Sequence, residues 1–321
     1  MSKWGSALGL IVILFLISAV SLVAGWKIAD KRDYRAEHTY PLLDPSVSEP
    51  DFRPQIINFD PLRQSLKNYL SSINLSHSLY FEYLPNGANI RNGDDNASIA
   101  ASLLKTPAVM DLYKLSEENK LRLDDTVTVR SSEVSMDTDY GNPTKLMPGD
   151  KITLRQAAKI TLNDSDNTTL DIIKDKEVPL LDSNSDSIQS LDISYTLTGS
   201  NFANEQVSIS SRSYASVLKC LFYACFNTPQ DSTQIISYLT GSADHKRLMA
   251  GVPPAIKVAH KVGSSDTSQS DCGIIYDPGK PYLVCLMLFD LNSSNVNKVD
   301  PYFQKVSQMI YKYVSAPDNS K

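Results

Sequence analysis

The stretch "CGIIYDPGKPYLVCLMLF", residues 272–289, decides the fold, because it contains two apolar runs joined by a short turn. Apolar runs rich in β-branched and aromatic residues on either side of a Pro-Gly pair are typical of a β-hairpin. If Pro278 and Gly279 form a two-residue loop, the strands pair outward until Cys272 faces Cys285. The sequence therefore predicts a hairpin that places these two cysteines side by side on one sheet face.

Bonding of this cysteine pair stays open at the level of sequence. Directly opposed residues have Cβ atoms about 4.5–5.5 Å apart, slightly wide of disulfide geometry. An oxidising compartment would permit a bond. Cross-strand disulfides are strained, which favours two small apolar side chains packed without a bond. The prediction is limited to adjacency of Cys272 and Cys285, beside the strand that ends near Lys261.

Strand and helix patterns recur at both ends of the chain outside the N-terminal segment. "AIKVAHKVG" precedes the hairpin, and an amphipathic helix at about 299–314 follows it. Near the other end, a helical stripe over 60–73 leads to the runs "SLYFEYL" and "ANIR", which flank the turn Pro85-Asn86-Gly87. Helical patterns dominate the sequence between about 99 and 240.

This order of elements predicts an α/β fold of the α+β type. The most economical arrangement is an antiparallel sheet flanked by helices, with an all-α lobe inserted between the two halves of the sheet. The domain would span 56–321, its α/β lobe would comprise 56–98 and 241–321, and its helical lobe would span 99–240. The terminal helices would cover one sheet face.

The first 35 residues differ from the rest of the chain. Residues 6–25 carry no charge, and such a length is sufficient to span a bilayer. Ala19-Val20-Ser21 is only a weak candidate for a cleavage site. We therefore predict an uncleaved N-terminal transmembrane helix within 1–35, followed by a Pro-rich linker over 36–55.

Charge and cysteine usage exclude several classes of function. The chain has 31 basic and 36 acidic residues, a net charge of −5 and no long basic run, so nucleic acid is not an expected partner. The sequence contains no C-x-x-C pair and its four histidines are scattered, so we expect neither a metal site nor a cofactor. Cys220 and Cys225 lie in an apolar helical segment and are predicted to be buried fillers.

Three short motifs carry the chemistry. Ser102-Leu103-Leu104-Lys105 opens a helical segment, where positions three apart share a face, so the lysine can help to remove the serine proton. Ser165-Asp166-Asn167 lies between two helical patterns, and Lys261-Val262-Gly263 ends a predicted strand. Each motif alone is weak. The set S-x-x-K, S-D-N and K-x-G, in this order, is much more specific.

The motif set resembles that of the class A β-lactamases and penicillin-binding proteins. The resemblance extends to "MPGDKITLRQAAKITLNDSDNTTLDII", to "LRLDDTVTV" and to the final hairpin, and it covers roughly residues 56–315. It implies a serine hydrolase whose nucleophile, Ser102, attacks an amide or β-lactam carbonyl and becomes acylated. Lys105 would be the acylation base, and Ser165 would pass a proton to the leaving nitrogen.

The resemblance also implies which residues bind substrate. Lys261 would hold a substrate carboxylate and favour the neutral form of Lys105 through like-charge repulsion. Asn167 would hydrogen-bond the side-chain amide of the substrate, and Gly263 belongs to the same K-x-G edge. The oxyanion hole would combine the N–H of Ser102 with that of Ser264 or Ser265. Two further residues are expected to have structural roles. Asp166, within S-D-N, would orient its loop, and His260 would lie on the strand face opposite Lys261.

One departure from the family pattern concerns deacylation. Class A β-lactamases supply a glutamate in an E-x-x-L-N motif to activate the hydrolytic water. The corresponding region here, "ISYTLTGSNFANEQVSISSRSYASVL", has no such motif. Glu205 is a candidate that the alignment places too late, and Asp192 is a weaker one. The sequence therefore supports acylation more firmly than deacylation.

A second departure concerns the carboxylate pocket. Val262 replaces the usual threonine or serine, and Cys272 stands where many class A enzymes have an arginine. One hydroxyl donor and one cation are therefore missing. Compensation could come from Ser264, Ser265 or Lys280.

The sequence thus predicts a membrane-anchored serine hydrolase, with slow deacylation and a β-lactam or peptidoglycan-peptide acyl donor. Alternatives are a D-Ala-D-Ala carboxypeptidase or transpeptidase and a non-catalytic wall-binding module. Basic residues after the anchor favour a cytoplasmic domain by the positive-inside rule. We give the chemistry more weight and expect a single-pass protein of the cell membrane, with a monomeric extracytoplasmic catalytic domain.

Overall fold

The computed structural model describes residues 40–43, 57–135, 144–177, 179–180 and 207–316. The predicted anchor lies outside these residues, and only 40–43 of the predicted linker lie within them. None of the helices formed by the described residues has the length and apolar character needed to cross a membrane.

A five-stranded antiparallel sheet is the centre of the described part of the chain. Its strands, in chain order, are β1 (Ser76–Tyr83), β2 (Ala88–Asn92), β7 (Lys257–Ser264), β8 (Ser268–Tyr276) and β9 (Tyr282–Phe289). Their spatial order is β2-β1-β9-β8-β7, so the N-terminal strands pair with the C-terminal ones through β1 and β9. The predicted sheet built from both ends of the domain is confirmed.

The hairpin formed by β8 and β9 has the predicted register. Ile275 faces Tyr282 and, further out, Cys272 faces Cys285. The turn closes at Asp277, whose carbonyl accepts a hydrogen bond from the N–H of Lys280 at 2.8 Å. Cys272 and Cys285 are adjacent, as predicted, and they form a disulfide with a Cα–Cα distance of 3.9 Å. The open question of bonding is therefore answered in favour of the bond.

Two terminal helices cover one face of the sheet. They are α1 (Asp60–Ser72), which begins with a proline in its first turn, and α7 (Asp300–Val314). Residues of α1 at helical spacing are buried against the sheet and α7: Leu62, Leu66 and Leu70. They pack in one core with Phe303, Val306 and Ile310 of α7 and with Phe81, Val284 and Leu286 of the sheet. This face of the sheet is consequently apolar.

The other face of the sheet receives the helical part. Its helices are α2 (Lys105–Glu117), α3 (Leu154–Asn163), α4 (Asn167–Glu177), α5 (Ser211–Phe222) and α6 (Pro229–Thr240). Helix α5 packs on β9 and α6 packs on β7. A hydrogen bond of 2.8 Å from Ser78 of β1 to Ser211 fixes the start of α5 on this face.

Short strands interrupt the region that the sequence predicted as helical. They are β3 (Ala97–Ile99) with β6 (Ser208–Ser210), and β4 (Thr126–Thr128) with β5 (Lys151–Thr153). Strands of three residues are too short to show alternation, and their partners lie far away in sequence. The sequence therefore contained no periodic signal for them.

Cys220 and Cys225 correct the sequence analysis, because they form a disulfide with a Cα–Cα distance of 5.0 Å instead of acting as two buried fillers. Cys220 is buried and Cys225 is exposed. Helix α5 ends where Ala224 adopts a φ of 51°, and the N–H of Cys225 then bonds the carbonyl of Cys220 at 2.9 Å. This helix-ending geometry normally brings two apolar side chains into contact, and here cysteines occupy both positions.

Candidate active site

A tight turn at the start of α2 presents Ser102. The 3₁₀ turn Ala101–Leu104 runs directly into α2, and Ala101 adopts a φ of 46°, which is uncommon outside glycine. Gly263 of β7 lies against this turn, since a Cβ there would be 2.7 Å from the carbonyl oxygen of Ala100. The absence of a side chain at Gly263 therefore allows the K-x-G strand to approach the predicted nucleophile.

Lys105 is the centre of the hydrogen-bond network. Its side chain is 1% exposed. Its Nζ donates to Ser102 Oγ at 3.0 Å, to Asn167 Oδ1 at 2.6 Å and to Ser165 O at 2.5 Å, and it lies 3.2 Å from Ser165 Oγ. The helical i, i+3 spacing has thus brought the serine and the lysine into direct contact, as the sequence predicted.

Ser165 adopts a φ of 57° in the loop between α3 and α4, which aims both its hydroxyl and its carbonyl at Lys105. The next residue, Asp166, accepts a hydrogen bond from the N–H of Thr169 at 2.7 Å. A carboxylate in this place caps the first turn of a helix. The contact agrees with the structural role expected for Asp166, and it fixes the loop that carries Ser165 and Asn167.

Lys261 approaches Ser165 from the opposite side. Its Nζ donates to Ser165 Oγ at 2.8 Å and to its neighbour's carbonyl, Val262 O, at 3.1 Å. Burial lowers the pKa of Lys261 to about 7, although the carboxylates of Asp271 and Asp244 act in the opposite direction. Ser165 therefore bridges two lysines, and a continuous chain of polar contacts runs from Ser102 through Lys105 and Ser165 to Lys261.

The choice between the two predicted oxyanion donors follows from strand geometry. The N–H of Ser265 donates to Ser268 O at 2.8 Å and is directed toward β8. Successive N–H groups along an antiparallel strand point to opposite sides, so the N–H of Ser264 points away from β8. Strand β7 is at the edge of the sheet, which leaves that side open toward the 3₁₀ turn of Ser102. The geometry favours Ser264.

Arg247 is a site residue that the sequence analysis missed. It is 7% exposed and lines a cavity of about 570 Å³ together with Ser165, Lys261 and Ser264. Its guanidinium donates to Ser264 Oγ at 3.1 Å, and also to Gly263 O, Ser270 O, Asp300 and Gln269. All five of its N–H donors are directed at acceptors. Arg247 therefore lies in the same cavity as Lys261, forms an ion pair with Asp300 at 2.9 Å and holds the Ser264 hydroxyl in place.

Comparison with known proteins places these features in a family. The sequence model of the β-lactamase enzyme family matches residues 61–314. The chain belongs to this family. No curated protein matches the chain in sequence.

Solved structures of the β-lactamase fold agree with this assignment. PBP-A superposes with a TM-score of 0.70 at 21% identity, covering 81% of this chain and 97% of that one. A β-lactamase from Sphaerobacter thermophilus gives 0.69 at 19% identity, covering 80% and 98%. An ancestral class A β-lactamase gives 0.67 at 19% identity, covering 78% and 99%. At these identities the likeness concerns the fold.

Two of the three residues that could compensate in the carboxylate pocket, Lys280 and Ser265, are engaged elsewhere in this β-lactamase fold. Lys280 lies at the hairpin turn, at the far end of β8, where its Nζ donates to Val314 O at 3.1 Å and Ala316 O at 3.3 Å. It closes the end of α7 and cannot serve the carboxylate pocket. The Ser265 hydroxyl is 2.9 Å from Ser268 Oγ and is engaged in the β7–β8 turn. Of the three candidates, Ser264 is the one that stands beside Arg247.

The predicted candidates for a deacylating base, Glu205 and Asp192, lie outside the described residues. Among the described carboxylates, Asp171 is one helical turn after Asn167 on α4 and therefore on the same face. Burial raises its pKa, and the charges of Lys174 and Lys105 oppose that shift. The carboxylate of Asp171 forms an ion pair with Lys174 at 3.9 Å.

Proposed function

We propose that this chain is a membrane-anchored, extracytoplasmic serine hydrolase of the class A β-lactamase type. It would form a covalent acyl-enzyme on Ser102 with a β-lactam or a peptidoglycan-peptide-like amide. The observation that carries the proposal is the pair of contacts from Lys105 Nζ to Ser102 Oγ and Ser165 Oγ, continued to Lys261. A serine alone is a weak nucleophile, and a lysine in contact can accept its proton.

Acylation follows from these contacts. Neutral Lys105 takes the proton of Ser102 while Ser102 Oγ forms a bond to the carbonyl carbon, and the negative charge on the carbonyl oxygen is stabilised by the N–H groups of Ser102 and Ser264. The C–N bond then breaks. The leaving nitrogen receives the proton of the Ser165 hydroxyl, which is restored from the proton held on Lys105. Lys261 keeps Ser165 oriented throughout.

Recognition of the substrate is assigned to the edge formed by β7. Lys261, Arg247 and the Ser264 hydroxyl together provide positive charge and one hydroxyl donor for a carboxylate. Asn167, held by Lys105, would face the side-chain amide of the acyl group. No metal or organic cofactor is required for this chemistry.

Slow deacylation is part of the proposal, because no E-x-x-L-N glutamate is present in the sequence. Losing general-base assistance typically costs about 10²–10⁴-fold in rate. This feature also favours the second candidate, a D-Ala-D-Ala carboxypeptidase or transpeptidase that binds penicillin. A PBP-A mutant has been solved as an acyl-enzyme complex with penicillin G, which supports the use of that compound as a probe.

An extracytoplasmic location is supported by the disulfides Cys220–Cys225 and Cys272–Cys285, since such bonds persist in oxidising compartments. The uncharged segment over residues 6–25 supports a single membrane-spanning anchor.

Intact mass measured over time after mixing with penicillin G tests the proposal. We expect the mass to rise by one penicillin molecule and to return slowly. Ser102→Ala should abolish the adduct, whereas Ser72→Ala, an exposed serine at the end of α1, should leave it unchanged. An undiminished adduct on Ser102→Ala would remove the assignment of the nucleophile. No adduct on the unaltered protein would favour a wall-binding module or a different acyl donor.

A further inference from the structure

A buried carboxylate lies behind the substrate-binding edge, on the face of the sheet opposite Lys261. Asp271 of β8 is 0% exposed and pairs with Val262 across the strands. Residues at alternate positions of β7 share a face, so Asp271 lies on the side of Val258, which belongs to the apolar core under α1 and α7. No motif of the sequence includes this aspartate.

The two oxygens of Asp271 have separate partners. Oδ1 accepts from His260 Nδ1 at 2.9 Å, and Oδ2 accepts from the backbone N–H of Leu248 at 2.9 Å. His260 directly precedes Lys261 in β7, and Leu248 directly follows Arg247 at the start of a 3₁₀ turn, Leu248–Gly251. One carboxylate therefore holds the chain neighbours of both cations of the site.

Arg247 precedes the anchored Leu248, and its side chain lies at the end of the sheet. Its guanidinium donates to Ser270 O at 2.8 Å and to Gly263 O at 3.3 Å, which places it against the ends of both β8 and β7. The same guanidinium holds the Ser264 hydroxyl at 3.1 Å. A shift of Leu248 would therefore move the arginine and the hydroxyl that face the cavity.

The environment of Asp271 pairs its buried carboxylate with the imidazole of His260. A fully buried carboxylate is unfavourable unless it is paired and hydrogen-bonded. Burial alone would lower the pKa of His260, but the charge and hydrogen bond of Asp271 outweigh this and raise it. Room for the imidazole comes from Gly273, where a Cβ would lie 2.6 Å from His260 Cβ. His260, Asp271 and Gly273 thus fit one another.

We propose that Asp271 is a positioning residue for the anion-binding edge of the active site, holding Lys261 and Arg247 in register from the rear face of the sheet. This inference rests on the proposed function. A buried hydrogen bond with only a structural role would lower stability when broken and would impair every acyl donor alike. A positioning role affects donors that carry a carboxylate more than donors that do not.

The experiment compares two acyl donors on the full chain: penicillin G, which carries a carboxylate, and an uncharged p-nitrophenyl ester. Second-order acylation rates are measured for both. Asp271→Asn preserves size but replaces one acceptor oxygen by an amide NH₂. We expect its rate with penicillin G to fall about 10- to 100-fold, as for other misplaced binding groups, and its rate with the ester to change less than about twofold.

Two further variants separate positioning from folding. Arg247→Gln should show the same selective loss, and the combination of Asp271→Asn with Arg247→Gln should lose less than the sum of the two single losses, because both residues act on one edge. Glu82→Gln, which disturbs a different buried carboxylate that pairs with Lys219, should leave the ratio of the two rates unchanged.

Each outcome decides the proposal. Equal losses with both donors in Asp271→Asn would overturn it, and so would an unchanged ratio in Arg247→Gln, because the arginine that Asp271 is proposed to hold would then not act on the carboxylate of the donor. That second comparison holds even where Asp271→Asn does not fold. Failure of the unaltered protein to react with either donor would overturn the proposed function together with this inference, whereas normal acylation with equal losses overturns the inference alone.

Discussion

At the scale of single residues, Lys261 determines how the proposed reaction responds to pH. Burial lowers its pKa to about 7, so its ammonium charge is present below about pH 7 and is lost as the pH rises through that value. We expect acylation by penicillin G to decline with a midpoint near pH 7. Labelling rates measured from about pH 5 to about pH 9 would show this decline, which an uncharged ester should lack.

Lys261→Arg is the control for this profile. A guanidinium remains charged at all of these pH values, so the decline near pH 7 should disappear in the variant. A decline that persists in Lys261→Arg would contradict the assignment to Lys261 and would point instead to His260, which titrates next to it in the chain.

Lys105 should affect the rate of acylation more than the stability of the fold. Lys105→Ala removes the group that contacts Ser102 Oγ, and we expect labelling by penicillin G to slow by several orders of magnitude. Lys114→Ala, on the same helix and half-exposed, is the matched control and should label at the normal rate. Equal rates for the two variants would argue against Lys105 as the acylation base.

Some residues of the candidate site could be predicted from the sequence and others could not. The sequence predicted that Ser102, Ser165 and Lys261 share a site, because each lies in a short motif and the three motifs follow one another in a known order. Arg247 could not be predicted, because a lone arginine before a 3₁₀ turn has no periodic or motif signal, and its position depends on the path of the chain around β7. The roles assigned to these residues remain predictions.

At the scale of elements, the close approach of β7 to the turn of Ser102 depends on Gly263. In Gly263→Ala the new Cβ would lie 2.7 Å from the carbonyl oxygen of Ala100, and backbone cannot yield as a flexible side chain can. We expect acylation by penicillin G to fall at least about tenfold, because even a displacement of about 1 Å at the nucleophile is costly.

Gly279→Ala provides the comparison for Gly263→Ala. Gly279 is in the β8–β9 turn with a φ of 71°, and a Cβ added there would have no atom within 4 Å. Alanine at this position costs about 1–2 kcal/mol of conformational strain. Thermal unfolding should show this loss of stability while the acylation rate stays normal; a matching loss of acylation would mean that the effect of Gly263 is not local.

The disulfide at the end of α5 should stabilise the domain without contributing to the reaction. Cys225→Ser opens a loop that spans a sequence separation of 5, for which chain entropy corresponds to about 2 kcal/mol. Thermal unfolding should register this loss in the free energy of unfolding, and labelling by penicillin G should continue at the normal rate. A variant of full stability would show that the bond contributes nothing to the folded state.

Elements differed in how well the sequence predicted them. The β8–β9 hairpin was predicted residue by residue, because a two-residue turn fixes the register of its strands. The pairing of β3 with β6 was not, because Ser98 and Ile209 are far apart in sequence and both strands are short. The Cys220–Cys225 bond was missed because it depends on the left-handed backbone of Ala224 after the helix. Alanine rarely adopts this conformation, so the sequence did not predict it there.

At the scale of the whole molecule, the two disulfides predict that all four cysteines are oxidised in the isolated protein. Within the described part of the chain there is no free cysteine. Protein isolated without reductant should therefore weigh less than reduced protein by four hydrogens, and it should not react with a thiol reagent under denaturing conditions. Full reaction of four thiols would contradict both bonds and remove their support for an extracytoplasmic location.

The sheet built from both ends of the domain also has a consequence for synthesis. Strand β1 pairs with β9 from Ser76 opposite Phe289 to Tyr83 opposite Tyr282, so its second neighbour leaves the ribosome long after β1 itself. Until then β1 has only β2 beside it, and its other edge is exposed to any strand nearby. The growing chain must therefore be kept from premature association until β9 emerges, and it can close its central sheet only after β8 and β9 have been released.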